Sequence, residues 1–147
     1  MEQLPSWLLT QTAAHAGRLV HDGFAEVGAR GYHYRLLNSL LEEGPASQAD
    51  LGRRTGIHLS DMVAALNELQ REGYVAREPD PADRRRNVIT LTRPGRLRAA
   101  ELTKRAHDVQ ERLLAPLTEA ERGQLLSTLV KLLDHHLRQG IPPLPKE

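Results

Sequence analysis

The stretch PDPADRRRNVITLT, residues 79–92, decides how the rest of this chain is interpreted. Two prolines and an aspartate precede three consecutive arginines, and a β-branched, alternating run follows at residues 87–91. Such a run predicts a strand, and residues 74–78 are the other strand candidate. Two short strands joined by an exposed basic loop predict a hairpin. Its charge suits either a solvated turn or contact with nucleic acid.

The overall charge of the chain does not favour nucleic acid by itself. The 147 residues predict one domain with a real core, and 20 basic residues against 19 acidic ones give a net charge of +1. Residues 45–98 hold ten arginines and seven acids, a local net charge of +3. Nucleic-acid binding would therefore depend on where the charge is placed. Only three of the 20 basic residues are lysines, so arginine predominates. This bias suits bidentate contacts to phosphate or guanine, but a GC-rich genome explains it equally well.

Several classes of protein are excluded by composition. The chain has no cysteine, so disulfides, thiolate zinc sites and thiol redox sensing are excluded. Without a signal peptide or an apolar run of membrane-spanning length, we expect a cytoplasmic protein that does not contact membranes. The seven histidines form no H-E-x-x-H pair, so we predict no metal and no cofactor. A small metal-dependent enzyme is a remote alternative, since no nucleophile elbow or phosphate loop occurs.

The segment before the hairpin has the pattern of a helix-turn-helix. Ser47 is the predicted N-cap of a short helix that ends at Gly56, and a second helix runs from about residue 59 to residue 72. Gly52 and Gly56 allow the two helices to cross closely. Many helical hairpins share this feature, but a helix-turn-helix followed by a basic hairpin predicts a winged helix.

The remaining sequence predicts further helices, so the fold class is mainly α with a small β-hairpin wing. Apolar periodicity predicts helices over residues 4–27 and 31–43. Thr92 is expected to cap a long helix that ends at Pro116, and Thr118 another that runs to Leu137. The last helix is apolar on more than one face, which indicates a partner subunit or burial within a monomer. A proline-rich, non-helical tail closes the chain.

These features resemble the MarR family of bacterial transcriptional regulators over roughly residues 4–137. The motif that carries the resemblance is Asp-Arg-Arg at 83–85, then Val-Ile-Thr-Leu-Thr at 88–92 and Pro-Gly at 94–95. The resemblance implies one MarR-like domain over residues 1–147, with dimerisation helices at about 4–30 and 93–138 and a winged helix-turn-helix lobe at about 31–92. It also implies a homodimer with interlocking first and last helices on a pseudo-palindromic operator in double-stranded DNA.

Ten residues are candidates for DNA contact. Within the helix-turn-helix, helix position favours Ser47, Gln48, His58, Ser60, Asp61 and Ala64. For Asp61 we favour a structural role, offsetting the positive end of its helix, over an acceptor role toward cytosine. In the wing, the resemblance makes Arg85 the minor-groove arginine and Asp83 the residue that orients it. We expect Arg84 and Arg86 to meet flanking phosphates.

The resemblance further implies a small aromatic or anionic effector bound between the dimer helices and the DNA-binding lobe. Ordinary packing at that hinge is the alternative for every residue proposed to line the site. The candidates are Trp7, His15, Arg18, Tyr32, His33 and Tyr34.

The function expected from the sequence is therefore a dimeric repressor released by a small ligand. A DNA-binding regulator without a ligand response is the alternative. The sequence leaves repression or activation open, because either outcome depends on where the operator lies relative to the promoter.

Overall fold

A computed structural model describes residues 4–140 and 142, and the remaining residues of the proline-rich tail lie outside this part. The fold is mainly helical with one antiparallel hairpin, which confirms the expected fold class. In chain order the elements are α1 (Pro5–Ala25), α2 (Gly31–Glu43), α3 (Gln48–Thr55), α4 (Leu59–Arg71), β1 (Val75–Pro79), β2 (Asn87–Leu91), α5 (Arg93–Leu113) and α6 (Glu119–Arg138).

The chain divides into two compact units, one up to residue 110 and one from residue 111 onward. The first unit holds the apolar core, to which α2, α3, α4, the hairpin and α5 all contribute. Its largest fully buried side chains are those of Leu36, Leu37, Leu51, Met62, Leu66, Leu69, Ile89 and Leu102. All of them except Ile89 of β2 occupy the apolar faces of amphipathic helices, which is the usual way such helices gain stability.

Local capping fixes the helix-turn-helix. The hydroxyl of Ser47 accepts a hydrogen bond from the backbone N–H of Asp50 at 3.1 Å, so the predicted N-cap of α3 is confirmed. Gly56 ends α3 in the left-handed region, with φ of 66°, where a side chain would add strain. The helix α4 starts two residues later with His58 as its N-cap. The tight turn between α3 and α4 is thus determined by residues within it.

The wing is joined to the helix-turn-helix through the backbone. Strands β1 and β2 pair in antiparallel register from Val75 with Leu91 to Pro79 with Asn87. Ala46, just before α3, also forms a bridge with Ile89 of β2, with N···O distances of 3.2 and 2.7 Å. The hairpin therefore continues onto the segment that leads into α3.

The Thr-x-Pro-Gly sequence after β2 attaches α5 to the hairpin. The hydroxyl of Thr92 donates to the carbonyl of Gly73 at 2.6 Å and accepts from the N–H of Gly95 at 3.1 Å, which confirms the predicted cap. A Cβ at position 95 would overlap the backbone carbonyl of Tyr74. Glycine is therefore required where α5 crosses the start of the hairpin.

The second unit contains α6, which has no buried residue within the described chain. Thr118 caps the helix by accepting a hydrogen bond from the N–H of Glu121 at 3.2 Å, as predicted. Its large apolar side chains are exposed on several sides: Leu125, Leu126, Leu129, Val130, Leu132, Leu133 and Leu137. Within residues 4–140 and 142, no helix is both long and apolar enough to cross a membrane.

Candidate nucleic-acid interface

The recognition helix of the helix-turn-helix is α4, which has one buried and one exposed face. It buries Met62, Ala65, Leu66 and Leu69 in the core. Positions 60, 64, 67 and 71 recur at intervals of four, three and four residues, so they form one exposed stripe along the opposite face. The predicted contacts Ser60 and Ala64 lie in this stripe, together with Asn67 and Arg71. Ala64 leaves the middle of the stripe open to close approach.

The first turn of α4 is held by short-range contacts. The ring Nδ1 of His58 lies 3.0 Å from the hydroxyl of Ser60, so these two predicted DNA contacts are engaged with each other. Asp61 accepts a hydrogen bond from the Tyr32 hydroxyl at 3.3 Å, which connects α4 to α2. This contact and the position of Asp61 at the positive end of α4 agree with its favoured structural role.

The start of α3 lies close to the base of the wing. Ser47 and Gln48 are half-buried there, and the Ser47 hydroxyl serves as the helix cap. The pKa of the Asp50 carboxyl is held below its ordinary value by a side-chain hydrogen bond with the Ser47 hydroxyl and by Arg53, and the charge of Arg86 adds to the effect.

At the tip of the wing, Asp83 organises the arginines. Its carboxylate accepts from the backbone N–H of Arg85 at 3.1 Å and lies 3.5 Å from the Nε of the same residue. The side chain of Arg85 is nevertheless 93% exposed. Asp80 and Arg86 close the loop through a backbone hydrogen bond of 2.8 Å. The loop therefore presents the exposed side chains of Arg84, Arg85 and Arg86 to solvent.

A charged cluster attaches α4 to the start of α2. Glu68 of α4 lies 2.7 Å from the Nε2 of His33, which is 4% exposed, and 2.9 Å from the guanidinium of Arg30. Partial burial raises the pKa of Glu68, but the His33 hydrogen bond and the charge of Arg30 outweigh it, so the net pKa is lowered. His33, a candidate ligand contact, thus positions the recognition helix from within the core.

The structure does not bring the six candidate ligand residues together. Trp7, His15 and Arg18 lie on exposed parts of α1, where Arg18 forms an ion pair with Asp22 at 3.0 Å. A cavity of about 200 Å³ lies instead between α1, the start of α2 and α5, and of the six candidates it includes Tyr34. Its lining comprises Val20, Phe24, Gly31, Tyr34, Arg35, Ala106, Val109 and Gln110.

Arg35 is the charged residue of the cavity wall, and it is not among the six candidates from the sequence. Its guanidinium donates a hydrogen bond to the backbone carbonyl of Thr55, the last residue of α3. One side chain therefore belongs both to the cavity wall and to the corner of the helix-turn-helix. Within the described residues, no group of three or more acidic or histidine side chains is arranged to hold a metal ion.

Three exposed residues near the end of α4 also lay outside the sequence prediction. Asn67, Gln70 and Arg71 line an open concavity of about 570 Å³. Arg77 of β1 reaches this face, where its Nη2 donates to the side-chain carbonyl of Asn67 at 3.2 Å. Helical spacing from Ser60 and Ala64 could have identified Asn67 and Arg71, whereas the contact with Arg77 depends on the tertiary fold.

Comparison with known proteins agrees with this geometry. A family model described as the MarR family matches residues 28–86, which run from the end of α1 to the wing arginines. Over this segment, the chain is similar to the MarR family. The match covers the helix-turn-helix and the wing tip, which hold the exposed stripe of α4 and the exposed wing arginines.

Individual relatives match more of the chain. The uncharacterized HTH-type transcriptional regulator YcgE of Bacillus subtilis is 34% identical over 95 residues, which are 65% of this chain and 62% of the relative. The HTH-type transcriptional repressor NicR of Pseudomonas putida is 30% identical over 104 residues, 71% of this chain and 66% of NicR. The chain thus spans less than two thirds of the length of these curated relatives. They are transcriptional regulators rather than enzymes.

A solved structure shows the same fold. This structure is that of BpsR from Bordetella bronchiseptica, a protein whose DNA binding is regulated by 6-hydroxynicotinic acid. It superposes on this chain with a TM-score of 0.81 at 23% identity. The match covers 90% of this chain and 94% of BpsR. At this identity, the likeness establishes the common fold.

Proposed function

We propose that this protein is a homodimeric, sequence-specific DNA-binding transcriptional regulator that acts as a repressor in the cytoplasm. The observation that carries the proposal is the joint presentation of a polar recognition helix and a basic wing. Arg77 of β1 contacts Asn67 of α4, so the strand leading into the wing is attached to the exposed stripe of the helix. In this geometry, α4 would enter the major groove while Arg85 enters the adjacent minor groove.

The wing charge supports a backbone-and-groove mode of binding. A narrow minor groove concentrates negative potential, so an exposed guanidinium gains electrostatic free energy there without reading a base. Asp83 restricts the backbone and side chain of Arg85, which reduces the entropy lost on insertion. Arg84 and Arg86 flank that position and would neutralise phosphates. The remaining polar residues of α4 would then supply sequence discrimination.

The exposed leucines of α6 support a dimer. A 20-residue helix with seven large apolar side chains in solvent is unfavourable unless a partner covers it. The first helix also exposes Trp7, Leu8 and Leu9. A second copy of the chain would cover such faces, and its twofold symmetry would match a pseudo-palindromic operator.

Release by a small ligand is supported by the cavity at α1, α2 and α5. Aromatic and aliphatic side chains dominate its wall, and Arg35 supplies a positive charge. An anionic aromatic molecule there would compete with the carbonyl of Thr55 for the guanidinium of Arg35. Ligand and DNA would then favour different arrangements of the helix-turn-helix corner. Two related proteins are a repressor, NicR, and BpsR, whose DNA binding 6-hydroxynicotinic acid regulates.

Substitution of the wing arginine tests DNA binding. With a duplex selected from a random library, Arg85→Ala should weaken binding and lower the log–log salt slope by about one per lobe, because one guanidinium leaves the DNA. Fluorescence anisotropy over a salt series measures both quantities. Lys104→Ala, which removes one exposed charge from α5, is the control and should change neither. An unchanged affinity and slope in Arg85→Ala would rule out the wing's role.

Substitution in α6 tests the dimer. Leu129 is 39% exposed, and Leu129→Glu should weaken self-association at micromolar concentration because it places a charge in the apolar face. Sedimentation velocity measures the effect, with Thr128→Glu as the control for adding a charge to the same helix. A wild-type protein that sediments as a monomer at that concentration would refute the proposed dimer.

Ligand release is tested with small aromatic carboxylates, including benzoate and 6-hydroxynicotinic acid. A compound that occupies the cavity should raise the melting temperature and weaken binding to the selected duplex. Ala106→Phe, designed to fill the cavity, should abolish both effects while leaving DNA binding intact. If no such compound changes either quantity, the regulator without a ligand response is favoured.

A further inference from the structure

Asn67 is the amide side chain in the exposed stripe of α4. It lies three residues beyond Ala64 and seven beyond Ser60, so it continues the same face of the helix toward the C-terminal end. Together with Gln70 and Arg71, it lines the open concavity beside the helix. Asn67 is thus placed to meet a DNA base edge if α4 enters the major groove.

Arg77 determines which way this amide faces. Its Nη2 donates to the Oδ1 of Asn67 at 3.2 Å, and its Nη1 donates to the Oε1 of Gln70. A guanidinium carries hydrogen-bond donors and no acceptor, so each amide must turn its carbonyl oxygen toward Arg77. The NH₂ groups of both amides consequently point away from the strand. Arg77 therefore fixes the orientation of Asn67 and Gln70 through one side chain.

The orientation matters because the bases differ in their major-groove edges. Adenine offers the N7 acceptor and the N6 donor, and a free asparagine matches it by aligning its oxygen and its NH₂ along that edge. Guanine offers two acceptors, O6 and N7, and therefore suits a group that presents only donors. Because the oxygen of Asn67 is held toward Arg77, the amide presents its NH₂ group, and not its oxygen, to a base edge on the far side.

We propose that Arg77, by occupying the side-chain carbonyl of Asn67, makes Asn67 a donor-only contact that selects guanine over adenine in each half-site. The inference rests on the proposed DNA-binding function and adds a base preference to it. Asn67 is assigned here in preference to Gln70 because it shares the stripe of Ser60 and Ala64. Arg77 acts as a positioning residue, since its guanidinium remains bound to the helix.

Selection of duplexes from a random library tests the assignment. The wild-type protein should prefer guanine at one position of each half-site, and this preference should require Asn67. In competition binding, guanine should be favoured over adenine there by about ten-fold. Asn67→Ala should remove the preference at that position and leave the other positions unchanged. Arg77→Met should shift the same position toward adenine, because the released amide can then present both its oxygen and its NH₂. Lys104→Met, which removes a positive charge from α5, should leave the selected sequence unchanged.

The variants also separate base reading from folding. Asn67 is exposed, so the Asn67→Ala variant should fold normally even if the Arg77→Met variant has a less stable wing. The thermal unfolding of both variants checks this. The inference would be overturned if the base position whose preference is lost in Asn67→Ala were one at which the wild-type protein already prefers adenine. An Asn67→Ala variant with an unaltered base preference would also overturn it, since the amide would then contact phosphate or solvent. A wild-type protein that selects no sequence would instead refute the proposed function itself.

Discussion

The backbone pairing of Ala46 with Ile89 is the constraint on which the DNA-binding unit depends. Two hydrogen bonds of 3.2 and 2.7 Å attach the segment before α3 to the second strand of the wing. Each contributes only about 1 kcal/mol net, but together they fix a register that side chains alone would leave loose. Ile89 is buried in the core, so slipping this register would expose an apolar side chain. The next residue after Ala46 is Ser47, the cap of α3, so the same contact sets where α3 begins.

The recognition helix is then fixed from two other directions. Glu68 connects it to His33 and Arg30 at the start of α2, and Arg77 connects its last turns to β1. These polar contacts have defined directions, whereas the apolar core beneath α4 does not specify orientation to the same degree. The side chains that support the helix thus determine how its exposed stripe is presented. A rigid presentation of this kind lowers the entropy lost on binding DNA.

The sequence predicted the local features of the fold and missed those that depend on long-range packing. Helix caps such as Ser47 and Thr92 are encoded within a few residues, as is the alternating pattern of β2. The structure confirms both caps and the strand. Residue type and family resemblance favour six candidate ligand residues, and of these six Tyr34 lines the cavity. Arg35 and Arg77 act through partners at distant positions, and no spacing within one element indicates such contacts.

In the proposed complex, α4 and the wing contact one half-site together, through the major and the minor groove. The chain has no cysteine, so a single cysteine at Ala82 in the wing or at Val63 on α4 would carry a tethered iron chelate that cleaves nearby DNA sugars. Cleavage from position 82 should fall in the minor groove beside the half-site. Cleavage from position 63 should fall within the half-site itself. If the wing-tethered chelate cleaves DNA no more than the same chelate tethered at Gly123 of α6, this joint contact is contradicted.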